Sequence, residues 1–89
     1  MATIWKEVLQ PGIYEQEVMI PAGATILCAA TQNGMPHIWF ICEPDAPRIP
    51  RKLFMAMTGH EAPKDTSRYL GTGMLLDGAY VYHVFEPTN

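Results

Sequence analysis

The sequence predicts an all-β chain: a compact antiparallel sandwich or barrel-like domain of about seven short strands. Three observations predict it. Asn33-Gly34 lies between two apolar runs, Thr25–Thr31 and His37–Glu43. A two-residue type I′ turn needs φ > 0 at both central residues, which Asn tolerates and Gly adopts freely. Short apolar segments then recur between turn signals such as Gln10-Pro11-Gly12, Pro21-Ala22-Gly23 and Asp77-Gly78. Finally, both faces of the Asn33-Gly34 hairpin are apolar, so it sits inside a sandwich or barrel or meets another subunit.

The elements follow in order. Thr3–Leu9 is the first strand, closed by Gln10-Pro11-Gly12. Tyr14–Ile20 is the second, with Glu15 and Glu17 on a wet side. The hairpin comes next, with Gln32 opposite Met35, Thr31 opposite Pro36, Ala30 opposite His37, Cys28 opposite Trp39 and Ile26 opposite Ile41. Thr31–Pro36 is then a non-hydrogen-bonded pair, so Pro36 removes no bond inside the hairpin, and no strand can use its missing N–H on the far side. Cys28 and Cys42 fall on opposite faces, which argues against a bridge and for buried thiols in a cytosolic chain. Residues 43–50 hold three prolines and read as extended loop. Arg51–Met57 is a strand by loose alternation, although Leu, Met and Ala also favour a short helix. Thr58–Arg68 is the longest polar loop, and such loops concentrate binding groups. Tyr69–Leu76 carries Gly71-Thr72-Gly73, where a β-bulge or close backbone approach explains the glycines better than a phosphate loop does. Asp77-Gly78 predicts a second type I′ turn between Leu76 and Ala79, before a last strand, Ala79–Glu86, and a frayed end, Pro87–Asn89.

Eighty-nine residues make one domain, 1–89. Charged residues are only 17% and hydrophobic ones 48%, a balance suited to a homo-oligomer that hides surface. A net charge of −3 argues against nucleic acid as main partner. Residues 1–47 contain one base, Lys6, whereas Arg48, Arg51, Lys52, Lys64 and Arg68 are clustered after it. No stretch reaches the ~18 apolar residues of a membrane span, and the first residues lack a signal peptide's apolar core.

Catalytic signatures are sparse. His37, His60 and His83 are never at ligand spacing and the cysteines form no CxxC, so no metal and no cofactor are expected. Ser67 has no nucleophile elbow. His83 shares a face with Val81 and Phe85 and reads as a core or interface histidine. His60, after Thr58-Gly59 in a polar loop, is the histidine assigned to binding.

Trp5-Lys6, Ile20-Pro21-Ala22-Gly23-Ala24, Ile26-Leu27, Gln32-Asn33-Gly34 and Trp39 resemble the front half of a small uncharacterised family common in phages and prophages. Pro44-Asp45, Arg51, Thr58-Gly59-His60, Tyr69-Leu70-Gly71-Thr72 and Val81-Tyr82-His83-Val84-Phe85-Glu86 resemble its second half. Met57 stands where that family usually has Gly, and Tyr82 where it often has Trp. The family has no assigned activity. The resemblance implies a phage accessory protein acting in the bacterial cytoplasm, where small proteins without catalytic residues commonly act by binding. The expectation is therefore a non-enzymatic counter-defence protein that sequesters a phosphorylated nucleotide-like signal. Arg48 and Arg51 would contact phosphate oxygens. Thr58, Gly59, His60, Gly71 and Thr72 would supply hydrogen bonds and close backbone approach, and Tyr69 or Tyr82 would stack on a base. The alternatives are an inhibitor docking on a host protein and a small virion or structural component. Each residue also has an ordinary reading, as solvated arginine, loop cap, turn former or core tyrosine.

Overall fold

The computed structural model describes residues 1–64 and 67–88. Among these, the strands are β1 (Thr3–Val8), β2 (Glu15–Pro21), β3 (Thr25–Gln32), β4 (Met35–Cys42), β5 (Arg48–Met57), β6 (Ser67–Leu75) and β7 (Tyr80–Pro87). They form two antiparallel sheets, ordered β1-β4-β3 and β2-β5-β7-β6. The sheets stack as a sandwich and do not close into a barrel. Asp65 and Thr66 of the predicted polar loop, and Asn89 of the predicted frayed end, lie outside the described residues.

The central hairpin has the expected turn, with Asn33 at φ 52° and Gly34 at φ 75°. Its register matches from Gln32–Met35 to Cys28–Trp39 and then departs. A bulge between Ile26 and Cys28 sets Ile26 opposite Phe40 and Thr25 opposite Ile41, correcting the predicted Ile26–Ile41 pair. The extra residue reverses the alternation, so Ile26 turns inward beside Ile38 and Phe40 while Leu27 is left exposed. Pro36 ends the β1–β4 ladder: β1 pairs only as far as His37, and the Leu9 N–H reaches the Pro36 carbonyl at 2.8 Å. Cys42 is buried, but Cys28 is exposed on the outer face, correcting its reading as a buried thiol.

In the second sheet, Val18 and Ile20 point inward while Glu15, Glu17 and Met19 face out. The segment read as strand or helix is strand, and it starts at Arg48, three residues inside the predicted loop. Pro50 lies where β5 has only β2 beside it, so its missing donor is tolerated. Arg68, read as loop, belongs to β6. The β6–β7 connection is longer than a two-residue turn: Leu75 pairs with Tyr80, and Leu76 and Asp77 take φ 49° and 54° in the positions predicted for Asp77-Gly78. A bulge between Tyr69 and Gly71 explains part of the Gly-Thr-Gly stretch. Close approach explains the rest. A Cβ on Gly71 would overlap the Ala29 carbonyl oxygen and lie 3.1 Å from that residue's N and C atoms, so β6 can lie over β3 only with glycine there.

The core between the sheets is built on Leu9, Ile20, Ile38, Phe40, Leu53 and Val84, all 1% exposed or less. Tyr82 is equally buried. Its hydroxyl lies 2.9 Å from Thr31 Oγ1, across the sandwich. Burial pushes the Tyr82 phenol above its ordinary range, and the Thr31 hydrogen bond opposes that shift.

Candidate functional site

All three arginines fasten one sheet to the other. Arg51 donates to Glu86 (Nε–Oε2 3.0 Å) and to the Ala24 carbonyl (2.8 Å). Arg68 donates to Glu86 Oε1 at 3.3 Å and also to the Ile26 carbonyl. Glu86 is in phase with Tyr82 and Val84 on the inner face of β7, which explains why it needs cations: a carboxylate held partly out of water is stable there only when paired. Arg48 donates to the Met19 carbonyl at 2.8 Å and lies over the Trp5 ring, 5.6 Å from its centroid. Arg48 and Arg51, expected to contact phosphate, are thus engaged by partners within the chain. Gly71 faces Ala29 inside the sandwich, and Tyr82, named as a stacking residue, is fully buried and presents no face to a ligand.

The other predicted residues gather at one corner. An open cleft of about 960 Å³ lies at the end of the sandwich, between the Asn33-Gly34 turn, the segment after β5 and the β6–β7 connection. Met35, Met55, Met57, Leu75 and Tyr80 give it mostly apolar walls, and Thr58 and His60 supply polar groups. Pockets of this size and character suit small-molecule ligands. Thr58 also faces away from the cleft: its hydroxyl lies 2.8 Å from His83 Nε2. The other ring nitrogen of His83 lies 2.9 Å from Thr72 Oγ1, which is 2.6 Å from the Tyr69 hydroxyl. Thr58 and Thr72 therefore hold His83, Tyr69 joins through Thr72, Thr58 and His60 line the cleft with Gly59 between them in the chain, and Arg48, Arg51 and Gly71 take part in neither.

His83 is the residue that the sequence reading set aside. It belongs to the outer face of β7 with Val81 and Phe85, and those apolar neighbours made the face resemble a core. The apolarity is that of an aromatic row. Phe54 on β5 pairs with Phe85 on β7, which pairs with Tyr69 on β6; the Tyr69 and Phe85 rings lie 5.6 Å apart, and Tyr14 lies 5.3 Å from Phe54. One signal was available. Thr72 falls directly opposite His83 once the β6–β7 register is drawn, and a hydroxyl opposite an imidazole on an exposed face is a ready hydrogen-bond pair.

A second cleft, about 630 Å³, collects Arg51, Lys52 and Lys64 beside Tyr14, Phe54 and Ser67. Its positive charge is largely answered: Glu86 holds Arg51, Glu15 is 3.4 Å from Lys52, and Glu61 lines the same cleft as Lys64. Among the described residues, no group of three or more His, Cys, Asp or Glu side chains is placed to hold a metal ion. None of their helices is long and apolar enough to cross a membrane.

No curated protein and no solved structure matches the chain. A family model does match, over residues 1–89, and its description is a domain of unknown function. The chain belongs to that family, DUF7352.

Proposed function

We propose that this protein binds a phosphorylated nucleotide-like signalling molecule and holds it without turning it over. The observation that carries the reading is the double placement of Thr58, which lines the large apolar cleft and hydrogen-bonds His83 on the adjoining face. A base would enter between Met35, Met57, Leu75 and Tyr80, as flat apolar ligands enter methionine-rich walls. The polar part of the ligand would lie toward Thr58, His60 and His83. Sequestration is favoured over hydrolysis because His83, although within hydrogen-bond reach of the Thr58 hydroxyl, is oriented by the Thr72 hydroxyl and not by a carboxylate that would stabilise the imidazolium of a general base. The setting we propose is a phage accessory protein countering host defence in the bacterial cytoplasm, and its support is the resemblance of the sequence to a family common in phages and prophages.

Calorimetry against cyclic dinucleotides, cyclic ADP-ribose isomers and linear nucleotides tests the reading. The expected result is binding by at least one of them, weakened at least tenfold in Thr58→Val with His60→Ala, with the ligand recovered intact. Silence across the panel overturns it, and recovery of a cleaved ligand overturns sequestration.

A second reading has its own observation. On the outer face of β1-β4-β3, Ile4, Val8, Leu27, Met35 and Ile41 are all exposed. Apolar side chains exposed together on one sheet face, here around Lys6, favour a protein partner, whether a host factor, a neighbour in a larger assembly or a second copy of the chain. Sedimentation at micromolar concentration separates the last case from the others, a dimer mass supporting the homo-oligomer.

A further inference from the structure

The chain Tyr69–Thr72–His83–Thr58 can be read by counting protons. It is drawn from two strands, β6 and β7, and the segment after β5, and its three contacts are 2.6, 2.9 and 2.8 Å. With neutral imidazole, the three hydroxyls and one ring N–H provide four protons. The three internal hydrogen bonds use three of them, so one proton is left to point outward. If Nε2 carries the ring proton, the free donor is Thr58 and the Tyr69 end can only accept. If Nδ1 carries it, the polarity reverses. With charged imidazolium there are five protons. Both ring nitrogens donate inward to threonine oxygens, Thr72 donates to Tyr69, and the outer ends, Thr58 and Tyr69, both donate outward around a positive charge.

Two outward donors flanking a cation suit a tetrahedral oxyanion. One donor and one acceptor do not, because the acceptor would face a negatively charged oxygen. We propose that this four-residue chain is an oxyanion subsite, the place where the phosphoryl group of the ligand sits, and that it binds the oxyanion with uptake of one proton at His83. The inference rests on the proposed function for the identity of the ligand, but the oxyanion chemistry belongs to the chain itself.

The ladder neighbours of His83 are Ala56 on β5 and Thr72 on β6, and its neighbours along the outer face of β7 are Val81 and Phe85. No carboxylate occupies these positions. Among the described residues, the titratable groups on this side are Tyr69, within the chain; Glu15, Glu17 and Lys52, which stand at or beyond the Phe54–Phe85–Tyr69 row on β2 and β5; and Tyr14, Glu61 and Lys64, which line the cleft beside Phe54. His60 follows Thr58 by two residues and is exposed.

Inorganic sulfate is the probe, because it remains a dianion over the range in which imidazole titrates, whereas phosphate changes its own charge there. Imidazole resonances of His37, His60 and His83 in the full chain are followed against pH, with and without sulfate at constant ionic strength. Sulfate is expected to raise the titration midpoint of His83 and leave that of His37 in place. Sulfate affinity should tighten by up to about tenfold for each unit of pH lowered, as a one-proton linkage requires. In His83→Gln, which retains hydrogen bonding but takes up no proton, the affinity should become independent of pH. A His83 midpoint unmoved by sulfate, or a pH dependence that persists in His83→Gln, overturns the proposal. Adenosine, which lacks a phosphoryl group, separates the two readings. Sulfate coupling at His83 with no nucleotide entering the cleft removes the proposed function and sustains the subsite. Adenosine binding with no effect of sulfate does the reverse.

Discussion

Glu86 and His83 are three residues apart on β7 and point to opposite faces, and both anchor a polar cluster. Around Glu86, two arginines are joined to a carboxylate and to carbonyls of the facing sheet, with the Glu86 side chain only 13% exposed. Around His83, three hydroxyls ring an imidazole on a face open to water. Rank by charge alone would make the arginine cluster the functional one. Burial and partners reverse the order. Arg51 donates to partners within the fold through all three of its guanidinium nitrogens and Arg68 through two, whereas the hydroxyl–imidazole cluster keeps unused hydrogen-bonding capacity at its outer ends. A residue is available for binding when its valence is unfilled, and formal charge is a poor guide to that.

The largest test of this division lies on the inner side. Gly71→Ala places a methyl against the Ala29 backbone, where neither strand can yield without separating the sheets. The expected cost is about 3 kcal/mol, the upper part of the overpacking range. It is read as a lower urea midpoint with an unchanged slope. Glu86→Gln should cost about 2 kcal/mol, since Arg51 and Arg68 would stay partly buried with only a neutral partner, and their partial exposure moderates the usual penalty. A loss below about 0.5 kcal/mol would make the inner cluster an ordinary surface pair and break the comparison.

The inner cluster was within reach of alternation along single strands, whereas of the outer one only the Thr72–His83 pair was, and only through the β6–β7 register. Arg51 is in phase with Leu53 and Met55, and Glu86 with Val84 and Tyr82. Period-two alternation alone therefore puts opposite charges on two buried faces, and that placement calls for a pair. Asn33-Gly34 was legible for a similar reason, since its backbone demand is local. The bulge at Ile26–Cys28 was not, because Ile26, Leu27 and Cys28 are all apolar and no polar residue fixes which of them faces in. The His83 cluster needs register across strands: Thr58, Thr72 and His83 meet only through β5–β7 and β6–β7 pairing, and the aromatic row beside them imitates a core.

Tyr82→Phe sharpens the inner side further. It deletes the hydroxyl from the Thr31 bond while Thr31 still donates to the Met74 carbonyl, 3.0 Å away. The expected cost is about 1 kcal/mol near neutral pH. The pH dependence has a definite sign. Burial raises the folded-state phenol above its ordinary value of 10.0, so folding favours the protonated form. That contribution is fully present below the unfolded pKa and is lost as pH rises through the folded one. The wild type should therefore lose its advantage over Tyr82→Phe in urea titrations carried above pH 10. An advantage that grows with pH would mean that the phenolate is stabilised inside, contrary to the burial.

The smallest expected effect is on the outer face. Thr72→Val keeps the shape and β-branching of the side chain and removes its contacts to Tyr69 and His83. Water can replace both contacts on an exposed strand, so stability should change by less than about 0.5 kcal/mol. The local readout should nevertheless change. His83 loses its Nδ1 partner and keeps Thr58 at Nε2, so the imidazole nitrogen shifts should move toward a fixed tautomer with the proton on one nitrogen. A stability loss of 1 kcal/mol or more, about what deleting a structural hydrogen bond costs, would place Thr72 in the same class as the arginine clamp. The His83 cluster would then be a fastener of β5, β6 and β7, with its hydrogen-bonding valence already spent. Unchanged stability with altered imidazole shifts is the combination that leaves the cluster free to bind, because a group that contributes nothing to folding can exchange its partner for a ligand at no cost to the fold.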